Sequence, residues 1–168
     1  DEAKPGEYDP LELRAEALLP GAPRSAPFDG EGFPLAPFAC ASGGVAKALY
    51  GASRYAHYLG LAPSGNFSLF SVAPGSVASA DMRSAPSLEV AYFSDFNVDP
   101  DSGDFGGEIR LGYWNDGKTR VPVTGGSVTG SLFENRGRMR LSRETVLSPA
   151  MRGPEAILLP VASVTAAG

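Results

Sequence analysis

Histidine and cysteine are nearly absent from this sequence, which contains one of each, His57 and Cys40. Zinc sites in proteins take most of their ligands from imidazole and thiolate groups, with several such ligands in one site. We therefore do not expect this chain to form a self-contained zinc enzyme or to hold a metal cofactor. A single cysteine also forms no intrachain disulfide, which is compatible with a reducing compartment, and we expect a cytoplasmic protein.

Positive charge and long apolar runs are also scarce. The net charge is −5 and the pI is about 4.9, so binding to nucleic acid through phosphate neutralisation is not expected. No stretch approaches the roughly 18 uninterrupted apolar residues of a membrane span, so no membrane partner is expected. The first four residues, Asp1-Glu2-Ala3-Lys4, contain neither an initiator methionine nor an apolar signal region. We expect that something is missing upstream of them.

Glycine and proline are abundant, with 21 and 15 residues in a chain of 168. This frequency of turn-forming residues excludes a helical bundle and favours short strands joined by turns. Apolar residues make up 43% of the chain and charged residues 20%, which is typical of a globular protein with a sizeable core. The predicted fold class is α+β, mostly antiparallel β with one or two short helices.

The prolines near the start of the chain predict an extended, proline-rich arm over residues 1–24. Within it, only 10–19 is compatible with a short helix, with Asp9 as the N-cap and Pro10 in the first helical position. We expect residues 25–168 to form a single β-rich domain.

Two local patterns follow in the next part of the chain. Apolar residues in 33–39 and 45–50 flank Ser42-Gly43-Gly44, which predicts a hairpin. The segment 53–60 has its apolar residues on one helical face, with Ser53 able to cap the helix and Gly60 able to end it.

Further strands are indicated by β-branched and aromatic residues and by alternating polarity. The clearest signal is an antiparallel hairpin over 108–123 that turns at Asn115-Asp116-Gly117. The almost continuous apolar run 156–165 is typical of a strand buried on both faces. The other predicted strands are 67–72, 88–98, 127–133 and 138–143.

The segment 99–104 spaces three carboxylates as a calcium loop would. An EF-hand loop needs an oxygen ligand, a glycine and a glutamate at positions that here hold Gly103, Asp104 and Arg110. A proline–glycine turn is therefore the favoured interpretation, and calcium binding is the alternative.

A hydrolytic site at His57 is a further alternative, with Ser53 one helical turn before it. No Gly-x-Ser-x-Gly elbow occurs, so a structural or surface histidine is favoured. Cys40 lies between apolar residues and is interpreted as a packing residue without a cationic neighbour to activate it.

Arg136, Arg138 and Arg140 alternate with Gly137 and Met139. On a strand, this spacing places three guanidinium groups on one face, where they would bind an acidic peptide or a carboxylate. The alternative is a solvated face or an edge strand protected by charge.

Several short segments occur in an order that resembles the C-terminal region of the TldD/PmbA family. The first of them reads Ser-Ala-Pro-Phe-Asp-Gly-Glu-Gly over 25–32, and the similarity extends from about Pro20 to the end of the chain. The remaining segments are 59–61 with 64–66, 98–105, 112–113 with 115–117, 122–123 and 129–132.

The resemblance implies a place among two-domain proteins described as modulators of DNA gyrase and as metallopeptidases that trim peptide antibiotics and unfolded chains. Two subunit types of this family are thought to form a heterodimer. The TldD type carries zinc ligands on a His-Glu-x-x-x-His helix and a late cysteine. Here His57 has no neighbouring glutamate and 149–168 has no cysteine, so the chain is more similar to the PmbA (TldE) partner, which lacks the metal site.

The resemblance therefore implies a non-catalytic PmbA/TldE-like module of a TldD/TldE-type metallopeptidase, with zinc only in the TldD-type partner. Its sheet edges and glycine-rich loops would enclose an extended peptide during proteolysis or peptide maturation. The expected partners are a TldD-type subunit, a second copy of the chain and extended peptides. The alternative is a stand-alone β-rich peptide-binding or structural module. The predicted peptide-binding residues are Gly103, Gly106, Gly107, Arg136, Arg138 and Arg140.

Overall fold

A computed structural model describes residues 8–84 and 86–166. They form two compact units. The first contains Ser76–Ser142 with the described residues before Pro10 and after Glu155, and the second contains Pro10–Gly75 and Arg143–Glu155. The expected arm over 1–24, of which 1–7 lie outside the described residues, and the expected single domain over 25–168 stay predictions. In the described ranges, no helix has the length and apolar character needed to cross a membrane.

Short strands dominate the described residues, and the predicted α+β class with mostly antiparallel strands is confirmed. The helices are α1 (Ser53–Tyr58), α2 (Ser79–Met82) and α3 (Leu132–Asn135). The strands are β1 (Leu13–Ala15), β2 (Phe38–Ser42), β3 (Val45–Ala46), β4 (Phe70–Val72), β5 (Ser87–Val98), β6 (Asp104–Asn115), β7 (Arg120–Val123), β8 (Ser127–Ser131), β9 (Arg140–Leu141), β10 (Thr145–Leu147), β11 (Met151–Pro154), β12 (Ile157–Leu158) and β13 (Ala162–Thr165).

The second unit is built on a six-stranded sheet with the order β10-β11-β4-β1-β2-β3. Strand β1 lies inside this sheet and pairs antiparallel with β2 and β4. Leu13 and Ala15 flank the exposed Arg14 on this strand, and the buried Ala15 lies in a core that also contains Cys40 and Phe67. The predicted helix over 10–19 is therefore wrong, because alternation with a period of two buries one face of a strand.

The predictions for the next segments are largely confirmed. Strands β2 and β3 form the predicted hairpin, and Gly43 and Gly44 at its turn have φ of +61° and +73°, which side chains with a Cβ rarely adopt. Helix α1 lies inside the predicted range 53–60. The side chain of Ser53 makes no cap hydrogen bond, and the N-cap residue is Ala52.

The first unit contains a five-stranded sheet with the order β13-β8-β6-β5, in which β7 also pairs with β6. Its core consists of Phe105, Ile109 and Val128, with Phe93 among the side chains packed against them. The hairpin predicted over 108–123 is confirmed, because β6 and β7 pair antiparallel. Its turn contains Gly117 with φ of +87°.

The last predicted strands are shorter than expected. The strand predicted over 127–133 ends at Ser131, the residue before α3, and the strand predicted over 138–143 is reduced to β9. The run 156–165 forms β12 and β13, and their side chains are exposed. A single strand buried on both faces is wrong here, because Pro160 interrupts the run and has no N–H for a strand ladder.

Asn135 connects the interrupted segment to α3, and its side chain is completely buried. The amide nitrogen donates to the carbonyl oxygens of Ser131 and Val161, and the amide oxygen accepts a hydrogen bond from the backbone N–H of Val161 at 3.0 Å. The side chain of Asn135 therefore satisfies the backbone N–H and carbonyl groups of Val161, next to Pro160, which a neighbouring strand would satisfy in a continuous sheet.

Candidate functional site

The predicted glycines lie on strand β6 of the first unit and in the turn before it. Gly103 ends the turn after β5 with φ of +69°, and its carbonyl oxygen accepts the N–H of Leu132. A Cβ at Gly103 would lie 3.1 Å from the ring of Phe133. The turn therefore needs glycine for its backbone conformation and for the neighbouring aromatic ring.

Gly106 and Gly107 lie on β6, which has β5 on one side and β8 on the other at this point. A Cβ on Gly107 would lie 2.6 Å from the carbonyl oxygen of Asp95 and under 3.0 Å from the rings of Phe93 and Phe96. These two rings are 4.8 Å apart between centroids. Gly107 thus provides the space into which the aromatic pair packs, and this stretch of β6 is not a sheet edge.

The three arginines do not share a strand face, so that prediction is wrong. Arg136 is the C-cap residue of α3, Arg138 lies in the following turn, and only Arg140 is in a strand. The carbonyl oxygen of Asn135 accepts the N–H groups of Arg138 and Met139, which continues the turn and removes the alternation. Arg136 and Arg138 are exposed.

Arg140 instead holds a carboxylate. Its Nε lies 3.2 Å from Oδ2 of Asp9, and its Nη2 donates to Oγ of Ser76 at 3.0 Å. Burial raises the pKa of Asp9, but hydrogen bonds from the N–H of Leu141 and from Arg140 and Ser76, with the charge of Arg140, outweigh it and lower that pKa overall. The cluster is thus a structural ion pair inside the first unit.

Asp29 joins two of the segments that carry the family resemblance. Its Oδ2 accepts the N–H of Asn66 at 2.9 Å, and its Oδ1 accepts the N–H groups of Glu31 and Phe33. The bond from Asn66 is the main reason that the pKa of Asp29 is lowered, followed by those from Phe33 and Glu31. The aspartate therefore shapes a loop and connects it to residues 64–66.

Two further aspartates in these segments act in the same way. Oδ1 of Asp99 accepts the N–H groups of Asp101 and Ser102, and Oδ1 of Asp116 accepts those of Lys118 and Thr119. These backbone hydrogen bonds lower the pKa of both carboxyls. This geometry agrees with the favoured turn at 99–104.

The side chains considered for hydrolysis or metal binding do not converge. His57 is exposed on α1, and the buried Oγ of Ser53 has no hydrogen-bond partner among the described residues. Cys40 is buried in the core of the second unit, as expected for a packing residue. Residues 8–84 and 86–166 contain no group of three or more histidine, cysteine, aspartate or glutamate side chains that could hold a metal ion.

A charged groove of about 410 Å³ lies on the six-stranded sheet of the second unit. Glu12, Arg14 and Glu16 line it from β1 and its flanks, and Arg152 lines it from β11. This groove was not predicted from the sequence. The alternation of charged residues with Leu13, Ala15 and Ala17 is the signal that indicates this face, whereas Asp9 and Pro10 made 10–19 compatible with a short helix.

Comparison with known proteins shows the family of this chain. Residues 8–166 match the model of the PmbA/TldA metallopeptidase C-terminal domain. The chain belongs to the PmbA/TldA metallopeptidase family. This result confirms the resemblance found in the short segments between Pro20 and the end of the chain. No curated protein matches the sequence.

Solved structures show the same fold. TldE from Thermococcus kodakarensis superimposes with a TM-score of 0.74 at 16% identity, covering 91% of this chain and 39% of that one. A candidate modulator of DNA gyrase from Bacteroides thetaiotaomicron VPI-5482 gives a TM-score of 0.72 at 23% identity, with 88% and 35% covered. Another from Thermotoga maritima MSB8 gives 0.73 at 16% identity, with 92% and 40% covered. The PmbA/TldA chain described here thus spans less than half the length of each structure.

Proposed function

We propose that this chain is a non-catalytic, PmbA/TldE-type module of a cytoplasmic metallopeptidase that degrades or matures unfolded peptides. The observation that carries the proposal is the placement of its two best zinc donors. His57 is exposed on α1 and Cys40 is buried in the core, so the imidazole and the thiol share no site. A peptidase zinc needs about three protein ligands around one open position. The residues of this chain do not fit that requirement, and the zinc is assigned to a TldD-type partner.

Association with a partner is supported by exposed apolar side chains along residues 45–61 of the second unit, which we call the tyrosine surface. Its side chains are Val45, Leu49, Tyr50, Tyr55, Tyr58, Leu59 and Leu61. Leu49 and Tyr58 are 87% and 84% exposed, and α1 buries none of its residues. A helix of six residues is marginal without packing on one face, so a covering subunit would stabilise it.

The charge around the tyrosine surface favours an acidic partner. No aspartate or glutamate occurs between Glu31 and Asp81, whereas Lys47 and Arg54 lie within or beside this surface. The chain as a whole carries a charge of −5. Two copies joined through this surface would bring like charges together, which disfavours self-association there and favours a metallopeptidase subunit with carboxylates around its apolar contact.

Peptide capture by strand addition requires an unpaired strand edge. Within the described residues, β5 has a partner strand on one side only. Its outer edge is therefore a better candidate for the peptide path than Gly106 and Gly107. A direct peptide contact by the six predicted residues stays a prediction, and among them Arg136 and Arg138 have exposed side chains.

The test combines this chain with a TldD-type subunit from the same source. The isolated chain should bind no stoichiometric zinc and cleave no unfolded peptide, while the mixture should form a complex and cleave. Replacing Tyr58 by serine should weaken the complex, and replacing the exposed Val164 of the first unit by serine is the matched control. Zinc-independent cleavage by the chain alone, lost in His57→Ala, would instead establish the hydrolase. A folded chain that never pairs with the subunit would favour a stand-alone β-rich module.

A further inference from the structure

We propose that the charged groove of the second unit binds a short peptide through its free terminal carboxylate, held between Arg152 and Arg14. This binding site does not depend on the metallopeptidase role proposed above. The groove lies entirely within Pro10–Gly75 and Arg143–Glu155.

The strand register places the two arginines on one face of the sheet. Arg14 lies opposite Ala39 on one side and opposite Ser71 on the other, and Ser71 in turn lies opposite Arg152. Residues directly opposite each other in paired strands point to the same face. Because neighbouring strands are about 4.8 Å apart, the two arginine backbones are separated by roughly 10 Å. Two long guanidinium side chains can close this distance around one ligand carboxylate, which would lie beside the Glu16 carboxylate that accepts the hydroxyl of Ser71.

Small side chains leave the space for a ligand. The residues between the charged side chains are small, and the groove has a volume of about 410 Å³, within the usual range for small-ligand sites of roughly 300–1,000 Å³. A peptide of two or three residues suits a groove of this size. The small lining residues are Ala39, Ser42, Ser71 and Ala73.

Arg152 provides a positive charge in the groove that a ligand could pair with. It is half-buried, and it has no ion pair in the part of the chain that the structure describes. Arg14 is only loosely paired, with its Nε 3.6 Å from Oε1 of Glu16. A planar guanidinium presents parallel N–H groups that match the two oxygens of a carboxylate. A ligand carboxylate would thus form an ion pair with the half-buried guanidinium group of Arg152.

The two glutamates of the groove determine which anion is suitable. Oε1 of Glu16 accepts the hydroxyl of Ser71 at 2.6 Å, and the carboxylate of Glu12 accepts the N–H of Gly43. Both glutamates therefore have donors already, but their charges would still repel a phosphate dianion. A zwitterionic peptide avoids this repulsion, because its ammonium group compensates the glutamates while its carboxylate binds the arginines.

The experiment titrates the full chain with trialanine and with trialanine amide, followed by NMR shifts of the second unit. Trialanine should bind saturably, and the amide should bind at least tenfold more weakly because it has lost the charge-assisted hydrogen bonds. Arg152→Gln should weaken trialanine binding by a similar factor. Arg152→Lys should restore part of the trialanine binding, since lysine keeps the positive charge but lacks the parallel N–H groups of the guanidinium.

Arg24→Gln, which alters an exposed arginine of the same unit outside the groove, should leave trialanine binding unchanged. Arg14→Gln provides a second variant should Arg152→Gln fail to fold. Equal affinity for trialanine and its amide would overturn the proposal. So would unchanged binding by the folded arginine variants. Competition by inorganic phosphate at equal concentration would also contradict it, since it would indicate a general anion site.

Discussion

The carboxylate of Asp29 accepts a hydrogen bond from the backbone N–H of Asn66, 37 residues further along the chain, at 2.9 Å. Gly65 completes this junction, because a Cβ there would lie 2.4 Å from the side chain of Leu35. Two segments that resemble the family are thus brought together by one side chain and one close backbone approach. In this place the segments of the family resemblance build and connect two loops.

Asp29→Ala should lower the midpoint of urea unfolding, because it leaves three backbone N–H groups without their carboxylate acceptor. The loops at 28–34 and 64–66 should also become more susceptible to proteolysis. Glu31→Ala is the control, since it removes a neighbouring exposed carboxylate. An identical midpoint for the two variants would contradict the role assigned to Asp29.

Gly107→Ala should destabilise the first unit by about 1–3 kcal/mol through overpacking. The added Cβ would meet the carbonyl oxygen of Asp95 at 2.6 Å and the rings of Phe93 and Phe96. Gly106→Ala is a closely matched control, because its Cβ would make an ordinary contact of 3.4 Å with Thr129. Denaturant unfolding measures both variants, and equal losses of stability would show that the aromatic packing is not the cause.

Gly117→Val should destabilise the hairpin of β6 and β7 by roughly 1 kcal/mol or more, because a β-branched residue resists the φ of +87° at this turn. Gly137→Val is the comparison, since a Cβ at Gly137 meets no atom within 4 Å and its φ is not in the left-handed region. Thermal and urea unfolding of the two variants should differ. Equal unfolding midpoints for Gly117→Val and Gly137→Val would contradict the turn assignment.

The ion pair of Asp9 and Arg140 should make stability depend on pH in the acid range. Because the folded-state pKa of Asp9 is lowered, its contribution is fully present above the unfolded value of about 4 and is lost as pH falls through the lower folded value. Asp9→Asn should therefore flatten the dependence of the urea midpoint on pH below about 4. Asp101→Asn, at an exposed loop carboxylate, should keep the slope of the unaltered chain. A slope unchanged by Asp9→Asn would refute this linkage.

Local sequence was sufficient to predict several features of this protein. The turn residues Asn115-Asp116-Gly117 and the alternation before them predicted the hairpin of β6 and β7, because positive φ and a period of two are properties of neighbouring residues. The α+β class followed from the frequency of glycine and proline. The family resemblance could be recognised from the sequence because its loop aspartates and glycines lie close together within each segment.

The tertiary structure decided which role each residue of these local patterns has in the fold. Leu13–Ala15 became a central strand because β2 and β4 flank it, and short sequences alone did not distinguish it from a helix. Gly107 proved to be a packing position because Phe93 and Phe96, from another strand, occupy the space above it. Arg140 was separated from Arg136 and Arg138 by its pairing with Asp9, 131 residues away. Each of these outcomes depends on contacts between distant parts of the chain, whose free energies do not appear in any local window of sequence.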